Sequence, residues 1–200
     1  ATRSAGKIRE IREIARERGW NWHGLDEYPH VPDAPETGRT FRDNAISKSF
    51  YYNRATGLAA LADDSGLEVD CLAGEPGVDS AYFAGHPRDN ARNNAKLIER
   101  LRGVPDEQRT ARFRCAMAFS CRGSVLFETE GAVEGSIIDE PRGENGFGYD
   151  PHFLIPSLGR TTAELSPDQK NAISHRGIAL RAILEKIAAW TVVASGQRAR

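Results

Sequence analysis

Leu58-Ala59-Ala60-Leu61-Ala62-Asp63-Asp64-Ser65-Gly66-Leu67 begins as a short apolar run and ends in two carboxylates and a Ser-Gly pair. Leu58 to Ala62 has the length and character of a buried strand and is too short for a helix. The Ser-Gly pair reads as the turn that ends it. Just upstream, Thr40-Phe41-Arg42-Asp43 is a capping-box variant with Asp in place of Glu, opening a helix to about Arg54. A capped helix that delivers the chain into a buried strand is the repeating step of an α/β protein.

The same alternation continues outward. Asp89 caps a helix carrying Ala91, Ala95, Ile98 and Leu101, with Gly103 after it. Ala111, Phe113, Cys115, Met117 and Phe119 alternate with Arg112, Arg114 and Ser120, a half-buried strand. It is expected to pair with Val125 to Glu130 across Arg122-Gly123. Ser166-Pro167-Asp168-Gln169 supplies an N-cap, a proline at the first helical position and a capping-box Gln. Ile173, Leu180, Ile183, Leu184 and Ile187 form the apolar stripe behind it. Toward the start, Ile8, Ile11, Ile14 and Ala15 recur at helical spacing and Gly19 stops the run. No repeat or long linker interrupts the 200 residues, which read as one domain, 1–200.

Composition narrows the classes. Hydrophobic residues are 40% and charged residues 28%, the balance of a globular chain. Lys and Arg number 27 against 28 acidic residues, so no global field attracts nucleic acid or an anionic membrane. No apolar run approaches the ~18 residues of a membrane span, and no signal peptide is visible. The three cysteines are an odd number. Cys115 and Cys121 share a strand face at about 20 Å, too far to bridge. A reducing, cytoplasmic setting is expected.

Five segments carry groups suited to chemistry. Adjacent carboxylates such as Asp63 and Asp64 point to opposite sides of an extended chain, so one can hold Mg²⁺ while the other orients or deprotonates water. A strand-ending Asp turn is the plain alternative. Glu36 is a second carboxylate for the metal side. Asn44, Lys48 and Tyr51 form one polar stripe on the Thr40 helix, and a Lys on such a stripe suits a phosphate oxygen if it faces inward. In isolation, a solvated helix face explains that stripe better. Ala1 to Lys7 runs into the first helix, where open N–H groups and a Lys favour phosphate, although it is not a Walker loop. Pro141 to Pro151 interleaves three glycines with Phe147 and Tyr149 and ends in Asp150, a pattern that brings backbone and aromatic faces onto a flat ligand. Lys170 and Ser174-His175-Arg176-Gly177 add donors that can read a base edge.

In order along the chain, these segments resemble the inosine triphosphate pyrophosphatase family, which removes deaminated purine nucleoside triphosphates. The resemblance rests on Ala1-Thr2 with Gly6-Lys7, Glu36-Thr37-Gly38 with Thr40-Phe41 and Asn44-Ala45, and Ala62 to Leu67. Farther along it rests on Pro76-Gly77-Val78 with Ser80-Ala81, Ala111-Arg112-Phe113, Gly143 with Gly146 to Pro151, Thr162 to Leu165, and Lys170 with Ser174 to Gly177. It implies an α/β fold: an elongated mixed sheet flanked by helices, with two lobes around a nucleotide cleft. It implies hydrolysis of ITP, dITP or XTP to the monophosphate and pyrophosphate, with Mg²⁺, by a homodimer without nucleic-acid or membrane partners. By matched position Asp64 is the expected general base, with Asp64 and Glu36 on the metal. Thr2, Arg3, Ser4, Ala5, Gly6, Lys7, Lys48 and Ser65 are the expected triphosphate side. Phe147, Gly148, Tyr149, Asp150, Lys170, His175 and Arg176 are the expected nucleotide set, mostly at the base.

Two departures accompany the resemblance. Ser4 stands where the family usually has Asn, so one phosphate contact is expected to be shortened or water-bridged. The family also begins with an apolar strand before Ala-Thr, so the first strand is expected to be missing and the Thr2 to Lys7 loop loosened. Two other readings stay open: a catalytically weak nucleotide-binding protein, and an RNA-binding module built on Arg109 to Arg114. The charge balance argues against the second.

Overall fold

The computed structural model describes residues 2–16 and 19–198. Three of its helices begin where a side chain satisfies an open N–H group of the first turn. Helix α1 spans Ala5–Ala15. Helix α2, Phe41–Thr56, starts at Thr40, whose hydroxyl accepts from the Asp43 N–H at 3.0 Å, and stops at Gly57 in the left-handed region. Helix α3, Asn90–Arg100, is capped by Asp89 accepting from the Arg92 N–H at 3.0 Å. Helix α4, Pro167–Ile173, carries the full capping box of Ser166 and Gln169. Helix α5 spans His175–Arg198. The apolar stripe expected behind Ser166 is therefore split: Ser174 is extended, its N–H closes on the Lys170 carbonyl at 2.8 Å, and a new helix begins.

The strands are β1 (Ala60–Val69), β2 (Thr110–Cys121), β3 (Ser124–Ile137), β4 (Phe153–Ile155) and β5 (Arg160–Thr161). They form one five-stranded sheet in the order β1-β2-β3-β4-β5. Only Arg122 and Gly123 separate β2 from β3, both at positive φ, the tight hairpin the sequence predicts. Ser136 pairs with Leu154 and Leu154 with Thr161, both antiparallel. The α/β expectation holds, with antiparallel pairing here where the resemblance implies a mixed sheet. One reading changes: β1 does not end at Ala62 but runs through Asp63, Asp64, Ser65 and Gly66 to Val69, buried along most of its length. Apolar Leu67 and Val69, both fully buried, keep the chain extended past the glycine.

The chain divides into two compact units. The first comprises Ala1–Asp64, Ala116–Gly131 and Gly177–Arg200, the second Ser65–Cys115 and Ala132–Arg176. In the first, Leu25, Val31, Ala34, Tyr52 and Ala60 form a small core. Asn53 of α2 donates to the Leu58 carbonyl at 2.6 Å and accepts from the Gly123 N–H at 2.9 Å, so one side chain fixes both the entry to β1 and the hairpin turn. In the second, Leu97 and Leu101 pack with Leu67, Phe113, Phe153 and Ile137 in a larger core. Burying a side chain of that size is worth about 1.5–3 kcal/mol.

Candidate active site

In the first unit, helix α2 and strand β1 aim polar groups at one another. Asn44 and Lys48 are one turn apart and both buried, so the stripe expected from its pattern alone to face solvent is inward. Asn44 donates to Asp64 Oδ2 at 3.0 Å and Lys48 Nζ to Asp64 Oδ1 at 2.9 Å. The same ammonium donates to Glu36 Oε1 at 3.2 Å. Asp63 points the other way, as alternation along a strand requires, and pairs with Lys7 Nζ at 3.0 Å. The Glu36 arm is held by the Gly38 N–H, which donates to Asn44 Oδ1 at 2.8 Å. A Cβ at Gly38 would lie 2.6 Å from that oxygen, so the approach requires glycine.

Burial pushes the Asp64 carboxyl above the usual carboxylate range, opposed by Lys48, Lys7 and Asn44. Burial alone would lower Lys48, but Asp64, Asp63 and Glu36 outweigh it and its ammonium is held charged. Lys7 is the third residue of α1, and Ser4 is the N-cap of that helix with no side-chain cap. The Ser4 N–H donates to Thr2 Oγ1 at 3.1 Å. Ala5, Gly6 and Lys7 thus form a first turn whose amides suit an anion. The Arg3 side chain instead lies on the segment 25–33.

In the second unit, Phe147 sits among cations: Lys170 Nζ is 5.0 Å and Arg176 Cζ 5.7 Å from its ring centroid. Asp150 organises the loop. Its Oδ2 accepts from the Phe147 N–H at 2.7 Å and from Lys170 Nζ at 2.6 Å, and its Oδ1 from Thr162 Oγ1 at 2.8 Å. A Cβ at Gly146, where φ is +78°, would fall 2.1 Å from Asp150 Oδ2. The Tyr149 hydroxyl donates to the Ser80 carbonyl at 2.8 Å, and burial raises its pKa. The Gly148 carbonyl accepts from Asn94 Nδ2 at 3.0 Å. Arg176, 2% exposed, donates to Ser65 Oγ at 2.8 Å. His175, also buried, stacks on Phe113 at 5.0 Å and 18°. The His-Arg pair opens α5, directly after the extended Ser174.

A family model for the Ham1 family matches residues 1–186. The chain belongs to the Ham1 family. It is 49% identical over 185 residues to the dITP/XTP pyrophosphatase of Desulforamulus reducens, covering 92% of each chain. To the dITP/XTP pyrophosphatase of Nitratidesulfovibrio vulgaris it is 52% identical over 192 residues, again with 92% of each covered. Its fold is similar to the structure of a HAM1 protein from Coxiella burnetii, with a TM-score of 0.85 and 42% identity over 94% of this chain and 96% of that one.

In this Ham1 chain, a cation already stands between two carboxylates: the Lys48 ammonium bridges Glu36 and Asp64. Hard oxygen donors around a positive charge fit Mg²⁺, which is typically held by one or two carboxylates with phosphate and water completing the shell. Among the described residues no group of three or more His, Cys, Asp or Glu side chains is placed to hold a metal alone. The two carboxylates therefore fit a site finished by ligand oxygens rather than a protein cage. Thr162 and Asn94 also hold the Phe147–Asp150 loop. The Thr162 to Leu165 segment marks the first in the sequence, whereas nothing local marks Asn94, whose partner is 54 residues away.

Proposed function

We propose that this Ham1 protein hydrolyses deaminated purine nucleoside triphosphates, ITP, dITP and XTP, to the monophosphate and pyrophosphate, and so cleans the nucleotide pool. The observation that carries the reading is the buried Asp64, fixed on both oxygens by Asn44 and Lys48, in a chain about half identical to dITP/XTP pyrophosphatases.

The reaction forms a bond from a water oxygen to phosphorus and breaks the bridging bond between the α- and β-phosphates. Asp64 accepts the water's proton, a task suited to a carboxyl raised by burial. Pyrophosphate leaves with the bridging oxygen. Lys48 and Lys7 offset phosphate charge, and the first-turn amides of α1, with Thr2, Ser4 and Ser65, supply further donors. Glu36 and Asp64 would hold Mg²⁺. When bound, that ion neutralises phosphate oxygens and orders the chain for attack.

The base falls to the Phe147–Asp150 loop with Lys170, His175 and Arg176. Hypoxanthine and xanthine present a 6-oxo acceptor and an N1–H donor, and adenine reverses both. A buried guanidinium that can satisfy an oxo group is left facing an amino group by adenine, a mismatch that can discriminate by about 10⁴-fold or more. The reading takes the enzyme as a cytoplasmic homodimer. No described helix is long and apolar enough to cross a membrane.

The test is product analysis with Mg²⁺ and ITP, dITP or XTP. Monophosphate and pyrophosphate are expected. Orthophosphate with a nucleoside diphosphate would place the attack at the wrong phosphorus and overturn the proposal.

A further inference from the structure

Arg3 lies inside the Thr2 to Lys7 loop, yet its guanidinium is committed elsewhere. Nε donates to Asp33 Oδ1 at 2.7 Å, Nη1 to the Leu25 carbonyl at 3.0 Å and Nη2 to the Val31 carbonyl at 2.7 Å. All three acceptors belong to one short segment. The side chains of Leu25 and Val31 are buried in the small core with Ala34 and Tyr52, so that segment is anchored. The Ala34 N–H donates to the Tyr52 hydroxyl at 3.0 Å, and two residues on comes Glu36, which meets Lys48. On its other side Arg3 is flanked by Thr2 and Ser4, joined at 3.1 Å, and the helix turn that follows carries Lys7 to Asp63.

We propose that Arg3 is a positioning residue that locks the Thr2 to Lys7 loop to the arm bearing Glu36, so that the phosphate donors and the metal-side carboxylate are held in one arrangement. The inference rests on the proposed nucleotide reaction for its kinetic consequence but not for the tie itself. The ion pair contributes little of the lock, because the Asp33 side chain is 75% exposed and such pairs are weak. The two carbonyl contacts carry it. They need a planar fork whose donors point in fixed directions, which Arg has and Lys lacks. Holding binding groups in their bound arrangement before the ligand arrives raises affinity, because the cost of ordering them is not met on binding.

The test compares Arg3→Ala, Arg3→Lys and Asp33→Ala with the unaltered chain. Two readouts are used: amide hydrogen exchange of the nucleotide-free protein, and steady-state kinetics with XTP and dITP over a range of Mg²⁺. Arg3→Ala is expected to speed exchange in residues 2–8 and 25–36 together. It should raise KM about tenfold while kcat changes by less than about threefold, and raise the Mg²⁺ concentration for half-maximal rate. Arg3→Lys should recover only part of this, and Asp33→Ala should stay close to the unaltered chain. Faster exchange in one segment alone, or a fall in kcat at constant KM, would overturn the proposal, since fewer folded molecules lower kcat and leave KM unchanged. If the unaltered chain hydrolyses neither nucleotide, the reaction reading fails and the exchange result alone decides the tie.

Discussion

Replacing Lys170 by Met removes the ammonium that lies 2.6 Å from Asp150 Oδ2 and leaves the carboxylate where it was. Both side chains are buried, at 7% and 4% exposure, so water cannot take the place of the missing partner. Breaking one side of such a pair costs about 3–5 kcal/mol. Asp150 retains two good donors, the Phe147 N–H at 2.7 Å and the Thr162 hydroxyl at 2.8 Å. Hydrogen bonds to a charged group are worth about 1.5–3 kcal/mol each, which places the loss at the low end, about 3 kcal/mol. For a chain of this size that corresponds to a fall in Tm of about 6–12 °C. Urea denaturation of the two proteins at neutral pH, with the m-value unchanged, measures it. A loss below about 1 kcal/mol would refute the reasoning, because it would mean that the remaining donors satisfy Asp150 without the cation.

Asp64→Asn should lower kcat by about 10²- to 10⁴-fold while the protein stays folded by circular dichroism; near-normal turnover would move the base to Asp63 or Glu36. Tyr149→Phe should cost about 1 kcal/mol in urea melts by removing the donor to the Ser80 carbonyl, and no change would mean that Asn93, also on that carbonyl, satisfies it. Arg112 and then Thr110 hold the Asp70 carboxyl below its usual range, so its contribution is fully present above the unfolded value near pH ~3.9 and lost as pH falls through the folded one. Asp70→Asn should therefore lower stability slightly at pH 7 and leave it unchanged in strong acid; equal effects at both pH values would count against the pairing.

Much of the frame can be read without coordinates because it is encoded locally. Thr40, Asp89 and Ser166 cap helices through contacts three residues long, and Arg122-Gly123 sets a turn by backbone preference alone. What is not legible depends on contacts far along the chain. Asn44 and Lys48 look like a solvated stripe until β1 brings Asp64 against them, some twenty and sixteen residues away. Ser65-Gly66 has the composition of a turn, and only the burial of Leu67 and Val69 keeps it straight. Ser174 is an N-cap type of residue, but the apolar stripe continues from Ile173 to Leu180 and hides the break, after which His175 and Arg176 meet groups as distant as Phe113 and Ser65. Arg3 suits phosphate by charge and position, and its actual acceptors lie 22 to 30 residues on.

The opposed directions of Asp63 and Asp64 make β1 sensitive to parity. Lys7 answers one and Lys48 the other, so sliding the strand by one residue would exchange the two carboxylates and present each lysine with the wrong neighbour. Sliding it by two would restore the faces but move every group by about 7 Å along the strand. The stretch from Gly57 to Ala59 lies outside both helix and strand, but Asn53 holds the Leu58 carbonyl, so the entry to the strand is pinned as well. Between Ala60 and Asp64 the count of residues is itself part of the chemistry, and a single-residue deletion there should be more damaging than most substitutions at the same positions.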